Sequence, residues 1–134
     1  MNDVPKLIHS MIRVRDEAAS VAFYNTAFSL DIADRLDFES FTLIYMSNAQ
    51  SGFELELTVN KGQDGAYDLG SGYGHLAVSV ADLEAAHRRM GEAGLGPKDI
   101  KSLRHPSGGT ARFFFIEDPD GYKIEVLERG WRFA

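Results

Sequence analysis

No cysteine occurs in the chain. That removes disulfides, thiolate nucleophiles and zinc–thiolate centres from consideration, so any metal must be held by His, Asp or Glu. The lack of disulfides agrees with a reducing compartment. Long apolar runs are missing as well. No stretch approaches the ~20 apolar residues that cross a bilayer, and no membrane partner is expected. The first residues, Met1-Asn2-Asp3-Val4-Pro5-Lys6, carry no apolar signal core, so a cytoplasmic location is expected. There is no basic excess either. Fourteen Lys and Arg against twenty Asp and Glu leave a net charge of -6, without the electrostatic footprint of a nucleic-acid binder.

What is present fits one compact domain over residues 1–134: the chain is 44% hydrophobic and 25% charged. Two large independent cores would need more apolar material. The chain does contain two similar segments. Leu7-Ile8-His9-Ser10-Met11-Ile12-Arg13-Val14-Arg15-Asp16 aligns without a gap on Tyr73-Gly74-His75-Leu76-Ala77-Val78-Ser79-Val80-Ala81-Asp82. His9 matches His75, Val14 matches Val80, and Asp16 matches Asp82. Each segment reads as an alternating strand, and each aspartate stands where a helix N-cap belongs. Helices are predicted over 17–28 and 83–93, with Gly94 ending the second in the left-handed conformation. Strands are predicted at 32–36, 41–46 and 53–59, then at 100–103, 110–117 and 122–127. Asp118-Pro119-Asp120-Gly121 supplies the last turn. Residues 60–72 read as a loop. The fold class is therefore α+β, built from two βαβββ modules at about 6–60 and 72–128. Neither module is large enough to bury a core with comfort, so the half-sheets are expected to pair within one chain or between two.

Alternation along the strands sorts the polar residues. His9, Met11 and Arg13 share one face of the first strand, while Ile8, Ile12 and Val14 share the face expected to pack on a helix. Glu54, Glu56, Thr58 and Asn60 line one face of the strand closing the first module. Lys123, Glu125 and Leu127 do so in the second. A histidine thus opens each module and a glutamate sits in each closing strand; spacing alone leaves Glu54 and Glu56 both open. Two imidazoles and two carboxylates suit nickel, cobalt, zinc, manganese or iron. A Lewis acid beside a carboxylate is what enolisation next to a carbonyl requires. His87, on a helix, and His105, in a loop, read as surface residues.

These stretches, with Phe23-Tyr24, Tyr67-Asp68-Leu69-Gly70 and Glu117-Asp118-Pro119-Asp120-Gly121-Tyr122-Lys123-Ile124-Glu125, resemble glyoxalase I of the vicinal-oxygen-chelate superfamily over about Lys6–Glu128. The resemblance implies the glyoxalase/bleomycin-resistance/dioxygenase fold and metal ligands at His9, Glu56, His75 and Glu125. It favours Glu56 over Glu54. It implies a homodimer whose active sites and half-barrels are shared across the interface, and in this short form nickel, with cobalt or zinc as alternatives. The implied activity is that of a lactoylglutathione lyase, which isomerises the hemithioacetal of methylglyoxal and glutathione to S-lactoylglutathione through a metal-bound enediolate. Glu125 is then the base at C1, with Glu56 the second catalytic carboxylate. Arg13 and Asn60 match positions that contact the glutathione moiety.

Two departures stand out. Ser107 occupies the position, ahead of Gly108-Gly109-Thr110, where the family usually has a lysine for a glutathione carboxylate; Arg104 and His105 are nearby substitutes. Phe28-Ser29-Leu30 replaces the usual Leu-Gly-Met. Competing expectations are another metalloenzyme of the superfamily (a thiol transferase, epimerase or dioxygenase) and a non-catalytic drug-binding protein.

Overall fold

The structure is a computed structural model that describes residues 3–134. The chain divides into two compact units, the first ending at Tyr67 and the second covering Asp68–Ala134.

The first unit holds β1 (His9–Arg13), α1 (Glu17–Phe28), β2 (Asp31–Asp37), β3 (Phe41–Ser47) and β4 (Glu54–Asn60). Its sheet has the order β1-β4-β3-β2, with β1 parallel to β4 and the other pairs antiparallel. Asp16 caps α1 by accepting from the Ala19 N–H at 3.1 Å, as its match to a capping position predicts. The helix ends at Ser29, a left-handed residue at φ 55° whose N–H bonds the Asn25 carbonyl. Ile12, Val14, Ile44, Met46, Leu55 and Leu57 are buried, together with Phe23, Tyr24 and Ala27 of α1. These form the core, and the opposite sheet face carries His9, Met11, Arg13 and Glu56. The expected packing of Ile8 is not observed: it lies ahead of β1 and is 59% exposed. Edge strand β2 is exposed along its length, with three aspartates and an arginine among its seven residues, the composition that blunts a free sheet edge.

The second unit repeats the plan with β5 (Leu76–Val80), α2 (Leu83–Glu92), β6 (Lys101–Arg104), β7 (Thr110–Glu117) and β8 (Lys123–Glu128), followed by a single 3-10 turn, Trp131–Phe133. Its sheet order is β5-β8-β7-β6. Asp82 caps α2 through the Ala85 N–H at 3.0 Å, and Gly94 follows at φ +77° as expected. Leu83, Ala86 and Met90 of α2 are buried with Phe114, Ile116, Ile124 and Val126. His87 departs from its surface reading. It is half-buried, lies edge-on to Phe114 at 5.0 Å, and its Nε2 stands 2.9 Å from the Lys98 carbonyl. A carbonyl only accepts, so Nε2 is the donor and His87 is a structural link. In the 118–121 turn, buried Asp118 accepts from the N–H groups of Asp120 and Tyr122, each at 2.9 Å, and Gly121 takes φ +92°. This fixes the start of β8.

Candidate metal centre

Cross-strand register places the polar residues of each unit. In the first, Met11, two residues beyond His9, pairs with Glu56, and Tyr45 pairs with Glu56 from the other side. In the second, Ala77, two residues beyond His75, pairs with Glu125, and Phe115 pairs with Glu125 from the other side. The two units thus share one scheme: histidine, glutamate two register steps on, aromatic across from the glutamate. The edges of the histidine rings meet those aromatics in both, His9 against Tyr45 at 5.8 Å and His75 against Phe115 at 5.3 Å. His75 differs from expectation in lying one residue ahead of its strand. The Tyr73 hydroxyl donates to the Lys123 carbonyl at 3.0 Å and fastens that segment to β8.

The side chains meet in pairs. His9 Nε2 stands 3.6 Å from Glu56 Oε2, and His75 Nε2 stands 3.2 Å from Glu125 Oε1. Two ligand atoms in adjacent positions at about 2.1 Å from one ion stand about 3 Å apart, so each pair has the spacing of two neighbouring ligands. Glu54, the alternative, pairs in register with His9 itself rather than two residues beyond it, which breaks the scheme that Glu56 obeys. Glu56 is only 9% exposed. A buried carboxylate needs a countercharge or donors, and the imidazole and the Tyr45 hydroxyl face it. The donor set, nitrogen and carboxylate oxygen in each unit, fits a borderline divalent ion. Among the described residues no group of three or more His, Asp or Glu gathers in a single cluster.

Tyr45 escaped the sequence reading. Its phenol is pushed up to about 12, first by its hydrogen bond to Glu56, then by burial and by the charge of that carboxylate. Phe115 at the equivalent place has no hydroxyl. The signal was available only once β3 and β4 were put in register. Arg13 lies on the His9 face of β1, opposite Thr58. Asn60 ends β4, and its amide donates to the Tyr67 hydroxyl at 3.2 Å, which holds the 60–67 loop to the strand.

Comparison with known proteins places the chain among relatives. The profile of the Glyoxalase/Bleomycin resistance protein/Dioxygenase superfamily matches residues 6–126. A protein named probable lactoylglutathione lyase from Synechocystis sp. is 36% identical over 126 residues, covering 91% of this chain and 94% of its own length. This chain belongs to the glyoxalase I family. The glyoxalase I relatives differ in size. A probable chloroplastic lactoylglutathione lyase of Arabidopsis thaliana is 34% identical over 96% of this chain, which spans only 37% of that longer protein. Among solved structures, the trypanothione-dependent glyoxalase I of Leishmania major superposes with a TM-score of 0.73 at 29% identity, covering 93% of this chain and 87% of its own. The expected glyoxalase fold of βαβββ modules is thereby established. No helix among the described residues is long and apolar enough to cross a membrane.

Proposed function

We propose that this chain is a lactoylglutathione lyase, converting the hemithioacetal of methylglyoxal and glutathione to S-lactoylglutathione. The observation that carries the reading is the repeated histidine–glutamate pair: His9 with Glu56, and His75 with Glu125. Membership of the glyoxalase I family supports it. In this reading the two modules, about 6–60 and 72–128, act as one glyoxalase-like domain. His9, Glu56, His75 and Glu125 together hold one divalent ion. Nickel is the metal proposed, with cobalt or zinc as substitutes. In the same reading, two copies form a homodimer, the His9–Glu56 pair of one meeting the His75–Glu125 pair of the other, as the family resemblance implies. A cytoplasmic location fits a cysteine-free enzyme of thiol chemistry.

A divalent ion held by these four side chains would supply Lewis-acid chemistry. The chain's own residues move the proton. Glu125 takes it from C1, and it is returned at C2; the carbon skeleton gains and loses nothing else. Glu125 suits the task because its cross-strand neighbour, Phe115, offers no donor to restrain it. Glu56 is held by Tyr45 and serves as the steadier ligand, or as the base for the opposite hand of the substrate. Arg13 and Asn60 contact the glutathione moiety, the guanidinium as a partner for a carboxylate.

The test is thioester formation followed by ultraviolet absorbance. Metal-stripped protein is reloaded with nickel or zinc and offered methylglyoxal with glutathione. Metal-dependent appearance of S-lactoylglutathione is expected. A fully metallated protein that forms none would reject the assignment.

A further inference from the structure

The chain has four methionines and no cysteine, so methionine is its only oxidisable sulfur. Met1 lies outside the described residues. Met46 and Met90 are core residues, 1% and 0% exposed. Met11 differs from both, at 37% exposed. Alternation along β1 sends Ile12 into the core and puts Met11 on the face that carries His9. Its register partner on β4 is Glu56, and the partner of Glu56 on β3 is Tyr45. Three adjacent strands thus set a thioether, a carboxylate and a phenol side by side. Neighbouring strands run about 4.8 Å apart, so the thioether flanks the carboxylate directly. This is the carboxylate that stands 3.6 Å from His9 Nε2.

The second unit has no counterpart. Ala77 occupies the place beside Glu125 that Met11 takes beside Glu56, and β5, β7 and β8 contain no methionine. The duplicated plan therefore does not need sulfur at this place. Oxidation of a thioether gives a sulfoxide, polar and chiral where the parent was apolar and adaptable. The sulfur donates an electron pair to the peroxide O–O bond. One peroxide oxygen becomes the sulfoxide oxygen and the other leaves as water. The new oxygen carries partial negative charge and only accepts hydrogen bonds. Beside Glu56 it adds a second acceptor where the Tyr45 hydroxyl is the donor facing the carboxylate, and it turns an apolar flank into a repulsive one.

We propose that Met11 is the oxidant-sensitive site of this protein: a small hydroperoxide converts its thioether to the sulfoxide, and the new oxygen disturbs the seat of Glu56 and reversibly lowers turnover. Hydrogen peroxide is smaller than any substrate the site admits, so an opening wide enough for the substrate passes it. Reversal falls to methionine sulfoxide reduction, which returns the thioether and releases the oxygen as water at the expense of a thiol reductant. The inference rests on the lyase reading for the activity that is lost. The modification itself and its effect on nickel binding are read without turnover.

The test treats the nickel-loaded full chain with hydrogen peroxide, removes the peroxide and digests with trypsin. Cleavage after Lys6 and Arg13 releases Leu7–Arg13, in which Met11 is the only methionine; Met46 and Met90 fall in other peptides. Fragment ions separate an oxygen on Met11 from one on His9. Met11 should gain one oxygen atom ahead of Met46 and Met90. Nickel affinity, by competition with a chelator, and turnover of the hemithioacetal should each fall about tenfold in step with that gain, as for other groups that support a metal ligand. The two methionine sulfoxide reductases together, one for each epimer, should restore both. Met11→Leu has no sulfur at this place; against its own untreated rate it should lose less than about twofold under the same exposure, and circular dichroism checks that it folds. If Met46 or Met90 is oxidised ahead of Met11, the proposal is wrong. It is equally wrong if Met11 is fully converted while nickel affinity and turnover stay within about twofold, and the lyase reading then stands. If conversion of Met11 lowers nickel affinity in a protein that forms no thioester, the oxidant-sensitive site stands and the lyase reading falls.

Discussion

At the scale of single residues, the two carboxylates are equivalent in register and unequal in surroundings. Glu56 has the Tyr45 hydroxyl across from it, and Glu125 has the ring of Phe115. Groups that orient a metal ligand from behind are typically worth 10–100-fold in affinity or activity. Tyr45→Phe should therefore lower the apparent nickel affinity about tenfold, measured by competition with a chelator, while the far-ultraviolet circular dichroism is unchanged. Unaltered nickel affinity would show that the hydroxyl does nothing for the ligand. Glu125→Gln addresses the other role. It keeps the size of the side chain and an oxygen donor but cannot accept the C1 proton. Turnover should drop by about 10²–10⁴, the usual worth of a positioned general base. Single-turnover rates on metal-loaded protein make the comparison; a rate within threefold of wild type would assign the proton transfer elsewhere.

Among the elements, the helices show how the sequence enforces the repeated plan. Each opens with an aspartate cap and sets a first-turn glutamate against an arginine of its own sheet. Glu17 pairs with Arg35 of β2 at 2.7 Å, and Glu84 pairs with Arg112 of β7. Arg35 holds the Glu17 carboxyl below its ordinary value through a hydrogen bond and its charge, and Arg112 does the same for Glu84. Since the folded values lie below the unfolded ones, these clamps contribute fully above the ordinary carboxyl value of 4.5. The contribution is lost as pH falls through the lowered folded values. Urea midpoints should thus decline below about pH 4.5, and Arg35→Met should decline less over the same interval. Equal slopes for the two proteins would contradict the clamp. The close of α1 carries a different cost. Ser29 sits at φ 55°, where a side chain is strained by about 1–2 kcal/mol, partly offset by the greater freedom of glycine in the unfolded chain. Ser29→Gly should stabilise by about 0.5–1 kcal/mol, raising Tm by about 2–4 °C in a scanning experiment. A lower Tm would mean that the hydroxyl has a partner worth more than the strain.

For the molecule as a whole, the duplicated plan was the most readable feature of the sequence. Local periodicity and the aspartate caps suffice for α1 and α2, and gap-free matching of His9 with His75 suffices for the equivalence of the modules. What escaped depends on partners distant in the chain. Tyr45 meets Glu56 only through the β3–β4 register, and Trp131 meets Gly109 only after the 3-10 turn folds back. No local pattern encodes either contact. Duplication also bears on assembly. If the ion is held by His9 and Glu56 of one copy with His75 and Glu125 of a second, each site takes half of its ligands from either chain. His9→Gln and His75→Gln homodimers then have every site damaged and should both be nearly inactive. In a mixed dimer, one site carries both substitutions while the other draws His9 from the His75→Gln chain and His75 from the His9→Gln chain, so it is intact. Co-refolding the two inactive proteins should restore about half of the wild-type turnover per mixed dimer, with the mixed species isolated by differential tags. Were each site built from a single chain, every site in the mixture would lack one histidine and no activity would return. Recovery on mixing therefore separates the shared site from the self-contained one.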